Sequence, residues 1–440
     1  MVGFIWVMKM RKILFILSCI LLVACQGNKT DDQQGKNDKT NQKENLVLKQ
    51  WRYLSQNGDG NEEGYYHFET DEGGQTHLFY TDYSMGKEVY LCNKPECKHN
   101  DESCTAYLSS ENIEEMFVYK EHLYFIESSG DTVQIFGDGI VSSSKTAPHI
   151  YQMDLDGQNK RELCQLEEGY QFQAGNIVLD GENMYLSISK NDSIEMSKGS
   201  YLQVTTQNEL YKIDLKTGKK EKIMNLYDGL SDKNIAAVEG RHLILNGYSY
   251  KENPQKYLDK KDFEGYDKVM VNGQSIVEIL NIDTLKKETI QIKEDIQFNY
   301  YQNKIYYSDK NKIYTFDLKT QKKDEFISLD KGYEYNLGIY GDRMIIAQWK
   351  GEKFKKTLTT SLKKSDIKEL KQYMRTPKEA VHILSMNSKN LFVVYDREGH
   401  YEKTWAGTMQ YETKKEYKGI ISIDDFFDNK KNYKKVSIIQ

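Results

Sequence analysis

The chain has 440 residues, enough for several ordinary domains or one large repeat array, which excludes a small scaffold held together by crosslinks alone. Lys and Arg total 61 against 66 Asp and Glu, and the net charge of −5 argues against nucleic acid as a partner. With 38% hydrophobic residues and a mean hydropathy of −0.73 the chain is too polar for a multi-span membrane protein, and 33 Tyr with 16 Phe are too many for a disordered one. A strand-rich folded body is therefore expected.

Residues 1–24 have the layout of a secretory signal peptide. Lys9, Arg11 and Lys12 precede an apolar run, residues 13–24, that contains no acidic side chain. The run is short for a membrane span, whereas a basic start followed by a short apolar stretch is typical of an export signal.

The end of the apolar run, Leu22-Val23-Ala24-Cys25, resembles the lipobox of bacterial lipoproteins. The resemblance implies that Cys25 is lipidated and becomes the mature N-terminus, so that a lipid anchor holds the protein at the extracellular face of the cytoplasmic membrane. An uncleaved signal anchor is the alternative. Residues 25–50 are rich in Gln, Asn, Lys and Asp, and we expect them to form a disordered tether.

The rest of the chain repeats one pattern, an apolar-aromatic strand followed by a second strand that closes in an acidic turn. Six such pairs begin at Leu123 and Ile150, Met184 and Leu210, Leu243 and Ile279, Ile305 and Ile313, Met344 and Leu358, and Leu391 and Ile420. Residues 64–91 supply one more unit. A small antiparallel sheet cannot bury both of its faces alone, so the repeats predict an all-β fold, a single β-propeller over residues 51–440 with seven blades of four-stranded antiparallel sheets. Six or eight blades also fit, and two β-sandwich domains are the alternative.

The turns between paired strands have a recognisable chemistry. Asp214-Leu215-Lys216-Thr217-Gly218 is typical of a hairpin in which Asp accepts hydrogen bonds from nearby backbone N–H groups and Gly takes the left-handed conformation. Residues 219–223, which are rich in Lys, indicate an exposed edge strand. Residues 363–374 carry apolar side chains at helical spacing and predict at least one helical turn.

The repeat that runs from Ile150-Tyr151 through Asp156-Gly157 to Leu163 resembles the repeats of TolB-like propellers. The Leu-Tyr-Phe and Asp-Leu pattern is also similar to propellers of the low-density-lipoprotein-receptor type, although the Tyr-Trp-Thr-Asp run of that group does not occur here. Together with the lipobox, the tether and the cysteines described next, the chain resembles uncharacterised β-propeller lipoproteins of low-GC Gram-positive bacteria. This resemblance implies a fold and a location, and it carries no activity.

Three thiols and one imidazole lie within thirteen residues, at Cys92, Cys97, His99 and Cys104. They match the ligand types of a structural zinc site, because four protein ligands would leave no position open for water. An exported chain can equally form disulfides, and Cys164 is then a candidate partner for one of these cysteines. Inert, reduced thiols are the third alternative.

Sequence motifs for catalysis are absent. The chain has no Gly-x-Ser-x-Gly elbow, no His-Glu-x-x-His pair and no phosphate-binding glycine loop, so no catalytic residue is predicted and an enzymatic activity is left open. Tyrosines in the long insertion of the fourth repeat, Tyr248, Tyr250, Tyr257 and Tyr266, are candidate ligand contacts. We therefore expect a surface module that binds a protein, peptide or glycan, with a propeller glycan hydrolase or lyase as the alternative.

Overall fold

A computed structural model of the chain describes residues 43–49, 58–71, 74–108, 113–127, 134–135, 141–142, 147–172, 176–197, 200–292, 298–351, 353–363, 366–375, 377–404 and 408–438. The predicted signal peptide, Cys25 and the first part of the predicted tether lie outside these residues. No helix in the described part of the chain is both long and apolar enough to cross a bilayer.

Seven antiparallel sheets, each built on four consecutive strands, follow one another along the chain, which confirms the predicted all-β propeller fold and its seven blades. The chain divides into two compact units. Among the described residues, the first unit covers 43–292 and 438 and contains blades 1 to 4, and the second covers 298–437 and contains blades 5 to 7.

The first unit has four blades, whose strands are given in chain order. Blade 1 consists of Gly58–Gly60, Gly64–Thr70, Thr76–Asp82 and Lys87–Tyr90. Blade 2 consists of Ile113–Tyr119, His122–Glu127, His149–Asp154 and Arg161–Gln165. Blade 3 consists of Ile177–Leu179, Asn183–Ser197, Ser200–Asp214 and Lys220–Asn225. Blade 4 consists of Ser231–Glu239, His242–Ser249, Gln274–Asn281 and Lys287–Gln291.

The second unit has three blades of the same construction. Blade 5 consists of Asn299–Tyr301, Lys304–Asp309, Lys312–Asp317 and Lys322–Ser328. Blade 6 consists of Glu334–Tyr340, Arg343–Lys350, Lys353–Ser361 and Lys368–Leu370. Blade 7 consists of His382–Met386, Asn390–Lys403, Met409–Ser422 and Lys434–Lys435.

Short elements accompany the blades. Helices α1 (Gln255–Leu258) and α2 (Phe263–Val271) lie in the insertion between the second and third strands of blade 4, and α3 (Ile423–Phe427) follows the third strand of blade 7. The additional strands are Val47–Lys49, Tyr107–Leu108, Gln134–Ile135, Val141–Ser142, Gln171–Phe172 and Ser437–Ile438.

The predicted repeat corresponds to the second and third strands of a blade. In blade 2, Leu123 is paired with Met153, and in blade 3 Met184 is paired with Ile213, as the proposed strand pairs require. Because these hairpins join neighbouring segments, their pattern can be read locally. Packing then joins successive blades: Ile150 of blade 2 and Met184 of blade 3 lie in one buried cluster.

The predicted turn chemistry is confirmed. The carboxylate of Asp214 accepts hydrogen bonds from the backbone N–H groups of Lys216 at 3.0 Å and Thr217 at 2.7 Å. Gly218 has φ +72°, and a Cβ built on it would lie 1.7 Å from the carbonyl oxygen of Leu163 in blade 2. Glycine is thus required both by the backbone conformation and by the close approach of the preceding blade.

The helical prediction for residues 363–374 is wrong. Lys368–Leu370 is the fourth strand of blade 6 and pairs with the third strand from Thr357 to Thr359, and Tyr373 forms an isolated bridge with Ala380. Pairing to an existing sheet edge satisfies the backbone groups of this short segment, and this outweighs the weak helical spacing of its side chains.

The predicted boundary at residue 51 between tether and propeller is too late. Val47–Lys49 forms a strand that pairs with Ile177–Leu179, the first strand of blade 3. Leu46 is 6% exposed in a cluster with residues of blades 3 and 4, and its N–H donates to the carbonyl of Gly240 at 2.8 Å. The packed body therefore includes Leu46 and the strand Val47–Lys49.

Candidate functional site

The structure brings Cys92, Cys97, His99 and Cys104 together in the loop that follows the last strand of blade 1. One sulfur or nitrogen atom from each residue lies within 4.8 Å of the corresponding atoms of the other three. The Nδ1 atom of His99 lies 3.2 Å from the Sγ atom of Cys104. We call these four residues the thiol-imidazole cluster.

Blade 1 holds the imidazole of the cluster in place. The ring of His99 stacks on Tyr90, with 4.2 Å between ring centroids and 16° between planes. The carbonyl oxygen of His99 lies 2.7 Å from Nε2 of His77, a residue on the third strand of the blade. His99 and Glu96 both have left-handed backbone conformations, with φ of 55° and 56°, which is uncommon for residues other than glycine.

The surroundings of the cluster shift the pKa values of Cys92 and Cys104 in opposite directions. Burial is the main reason that the pKa of Cys104 is raised to about 12. Burial opposes ionisation of Cys92 as well, but the backbone N–H of Lys94 and the neighbouring thiols outweigh it and lower the pKa of Cys92. Burial and the nearby His77 lower the pKa of His99. The lowered pKa favours the neutral imidazole, which has a lone pair to offer.

Cys164 is not part of the cluster. It lies on the fourth strand of blade 2, buried in an apolar cluster that includes Leu163 and Leu166. Burial raises the pKa of its thiol. The four cysteines in the described residues are all free thiols. The structure thus gives Cys164 the environment of a packed core side chain, in which a cysteine behaves as a small hydrophobe.

A second candidate site is a cavity of about 470 Å³ on blade 4, which we call the blade 4 cavity. The polar and charged side chains that line it are Asp228, Ser231, Lys233, Ser249, Lys251, Gln274, Glu278, Lys287, Thr289 and Gln291. Its remaining lining residues are Leu230, Tyr250 and Ile276. A concave surface with hydrogen-bonding groups and an aromatic side chain is a common form of ligand site.

Glu278 is the unusual residue of this cavity, because only one of its two carboxylate oxygens has a partner in the described part of the chain. Its Oε2 atom lies 3.2 Å from Nζ of Lys233 and 3.6 Å from Nζ of Lys287, and accepts a hydrogen bond from the hydroxyl of Thr289 at 3.2 Å. Its Oε1 atom is buried and has no hydrogen-bond partner among the described residues. The side chain is 3% exposed and that of Lys233 is 4% exposed, so this ion pair is shielded from water.

A neighbouring cavity of about 480 Å³ shares Asp228 with the first and is also lined by Asn253 and Gln255 of the blade 4 insertion. Asn208 lines it and is completely buried. Its amide nitrogen donates to the carbonyl of Lys233 at 3.0 Å, whereas its Oδ1 atom has no partner in the described part of the chain. Two unsatisfied buried acceptors thus belong to residues that line adjacent cavities, although buried polar atoms are normally paired.

The four predicted tyrosine contacts have different surroundings. Tyr250 is 9% exposed and lines the blade 4 cavity, and burial raises the pKa of its hydroxyl. Tyr257 packs against Gly265, where an added Cβ would lie 2.2 Å from its ring, and its hydroxyl donates to Glu252. Tyr248 and Tyr266 are partly exposed and do not line either cavity.

Sequence reasoning placed candidate contacts in the blade 4 insertion and did not single out Glu278, Lys233 and Asn208, which line the two cavities. The signal for Glu278 was a single carboxylate inside the apolar strand Gln274–Asn281, whose other central residues are Ile276, Val277, Ile279 and Leu280. An acidic side chain at such a position needs a buried partner. The partner, Lys233, comes from another strand 45 residues earlier, which the sequence pattern could not reveal.

No protein-family model and no curated protein matches the chain. Among solved structures it is similar to a puromycin-hydrolyzing peptidase of Mycobacterium tuberculosis, at 10% identity and a TM-score of 0.46, over 83% of this chain and 52% of that one. It is also similar to the β-propeller domain of the Trilobed protease from Pyrococcus furiosus, at 11% identity and a TM-score of 0.39, over 74% and 97% of the two chains. An oligogalacturonate lyase in complex with manganese aligns at 10% identity and a TM-score of 0.42, over 74% and 84%.

These similarities are similarities of fold. The chain spans about half the length of the mycobacterial peptidase that it resembles. Since one fold hosts many activities, the function of this chain has to be argued from its own residues.

Proposed function

We propose that this chain is a ligand-binding propeller of the bacterial cell surface and that it binds a glycan in the blade 4 cavity. The location is supported by the sequence alone, through the basic start, the apolar run at residues 13–24 and the lipobox-like segment ending at Cys25. Lipid on Cys25 would anchor the body, and the polar residues that follow would hold it away from the bilayer.

The observation that carries the binding proposal is the unpaired Oε1 atom of Glu278. An unsatisfied buried acceptor costs roughly 1–3 kcal/mol, and more when it is charged. Lys233, Lys287 and Thr289 all contact Oε2, so these three side chains do not recover this cost at Oε1. Because Oε1 is buried, a ligand would reach it only after the side chains that cover it moved aside, and a hydrogen bond donated to Oε1 would then recover this cost.

The composition of the cavity supports a glycan as the ligand. Hydroxyl and amide side chains, from Ser231, Ser249 and Gln274, stand beside lysines and carboxylates, so donors and acceptors are mixed. Sugar hydroxyls both donate and accept, and they match such a surface. Tyr250 offers an aromatic side chain of the kind that packs against the apolar face of a sugar ring.

The proposal can be tested with the purified full-length chain on an array of neutral and acidic cell-wall oligosaccharides, followed by calorimetric titration of the glycans that bind. Gln274→Ala and Gln291→Ala remove exposed lining side chains and should weaken binding at least about tenfold with little change in melting temperature. Glu278→Gln removes the charge beside the ligand and should weaken binding further.

The matched control is Glu264→Gln, on the exposed surface of α2, which should bind like the wild type. Absence of glycan binding by the wild-type chain, or unchanged affinity in all three cavity variants, would contradict the proposal. Binding of cell-wall peptides in place of glycans would also contradict it, as would cleavage of a bound glycan, which would indicate the lyase or hydrolase alternative.

A further inference from the structure

We propose that Cys92, Cys97, His99 and Cys104 bind one zinc ion in a closed tetrahedral site that fixes the loop after blade 1. This site is independent of the glycan proposal, because none of its residues lines the blade 4 cavity. The inference rests on the geometry of the thiol-imidazole cluster and on the way in which blade 1 supports it.

The spacing of the ligand atoms suits a single ion. A zinc ion bound by sulfur at about 2.3 Å and by nitrogen at about 2.0 Å separates its tetrahedral ligand atoms by about 3.5–3.8 Å. The four atoms of the cluster lie within 4.8 Å of one another, and the Nδ1–Sγ distance between His99 and Cys104 is already 3.2 Å. Small side-chain movements would therefore complete the site.

The ligand set selects the metal class. Thiolate and imidazole are the ligands of zinc and other soft or borderline ions, whereas calcium and magnesium require oxygen. Three cysteines and one histidine supply four protein ligands, so no position remains for a water molecule or a substrate. The ion would thus act on the structure of the loop, and the three thiols would release their protons when they bind it.

Contacts around the cluster resemble those that orient ligands at metal sites. The N–H of Ala106 points at the Sγ atom of Cys104 at 3.3 Å. His77 contacts the carbonyl of His99, and Tyr90 stacks on the ring of His99. The imidazole of His99 is therefore fixed by two residues of blade 1. Such outer contacts set the direction of the ligands before the metal arrives.

A disulfide accounts for less of the geometry. A bridge would join two of the three sulfurs at about 2.05 Å, and it would leave the third thiol and the imidazole without a role. Cys164, the other sulfur that a second bridge would need, lies in a different apolar cluster. A metal site requires all four groups to converge, whereas a disulfide requires only two sulfurs.

The experiment measures metal content and coordination in the full-length chain, purified under reducing conditions with added zinc and then dialysed. We expect one zinc per chain by mass spectrometry of the metal. Replacement by Co²⁺ should produce the visible bands of tetrahedral cobalt together with a thiolate charge-transfer band. Cys97→Ser and His99→Gln, both at partly exposed positions, should lower zinc affinity at least about 100-fold in competition with a coloured chelator.

The matched control is Cys164→Ser, which removes a buried thiol outside the cluster and should retain one zinc per chain. Absence of stoichiometric zinc from the folded wild type would overturn the proposal. An intact mass that is lower by two hydrogens in a second sample purified without reductant, with the bridge mapped to Cys92, Cys97 or Cys104, would overturn it as well. An octahedral cobalt spectrum, or equal zinc affinity in the wild type and in both cluster variants, would do the same.

Discussion

Replacing Arg241 by Met should destabilise the first unit, because this guanidinium joins blade 3, blade 4 and the N-terminal segment. Its Nε and Nη2 atoms donate to the two carboxylate oxygens of Asp283 at 2.9 and 2.8 Å. Nη2 also lies 3.3 Å from Asp180, and Nη1 donates to the carbonyl oxygen of Glu44 at 2.7 Å. Methionine keeps much of the side-chain volume and removes all four contacts.

The expected loss lies at the lower end of the range for a broken buried ion pair, which is about 3–5 kcal/mol. Asp180 is 6% exposed, but it keeps the hydroxyl of Tyr185 at 2.8 Å. Asp283 is 26% exposed and keeps Nζ of Lys43 at 2.7 Å. Since both carboxylates retain a donor, we expect the free energy of unfolding at pH 7 to fall by about 3 kcal/mol.

The loss should depend on pH in a defined direction. The hydrogen bonds from Arg241 hold the pKa of Asp283 well below its usual range. Burial opposes ionisation of Asp180, but hydrogen bonds from Tyr185 and Asn183 outweigh it and lower its pKa. A carboxyl group with a lowered folded-state pKa stabilises the fold above about pH 4 and loses that contribution as the pH falls. The difference between wild type and Arg241→Met should therefore be largest at pH 7 and shrink in acid.

Urea unfolding of both chains at pH 7 and at several acidic values, followed by circular dichroism and by tyrosine fluorescence, measures this difference. The control is Lys268→Met on α2, which breaks an exposed pair with Glu264 and should cost less than about 0.5 kcal/mol. A loss below about 1 kcal/mol for Arg241→Met, or a loss that does not decrease in acid, would refute the reasoning.

Three further predictions concern packing, backbone and titration. Leu46→Ala should lower the free energy of unfolding by about 2–4 kcal/mol in urea titrations, whereas its neighbour Val47, which is 40% exposed, should tolerate Ala at a cost below about 0.5 kcal/mol. Gly218→Ala should cost more than about 1 kcal/mol in the same assay, because φ is +72° and a Cβ has no room; a neutral effect would contradict this. His382 accepts a hydrogen bond from Arg397, and burial followed by that positive charge lowers its pKa to about 4. The carboxylate of Glu379 lies 4.0 Å from its Nε2 atom. The neutral form is thus favoured in the fold, so the melting temperature of the wild type should fall as the pH is lowered from about 6.5 to about 4. The fall should be smaller in His382→Asn. The control variant His400→Asn should behave like the wild type.

The blades could be predicted from the sequence because their information is local. The strands that contain Leu123 and Met153, or Met184 and Ile213, are neighbours along the chain, and each displays the alternation of a half-buried strand. The turn at Asp214 likewise needs residues no further away than Gly218. Short-range patterns of this kind state which strands pair and where they turn.

The thiol-imidazole cluster could be recognised in part for the same reason. Its four members lie within thirteen residues, so their proximity follows from the spacing. The sequence left the status of Cys164 open, since only packing against Leu163 and Leu166 in blade 2 decides that its thiol belongs to another apolar cluster.

The composition of the chain and the alternation within its strands determined an all-β fold with repeated hairpins. The spacing of the cysteines was likewise given by the sequence. Tertiary structure alone decided that Val47–Lys49 pairs with a strand about 130 residues later. It also decided that Nζ of Lys233 contacts the Oε2 atom of Glu278. The physical reason is that contacts between distant segments depend on the shape of the surfaces that meet. That shape arises only after the local strands have formed and packed.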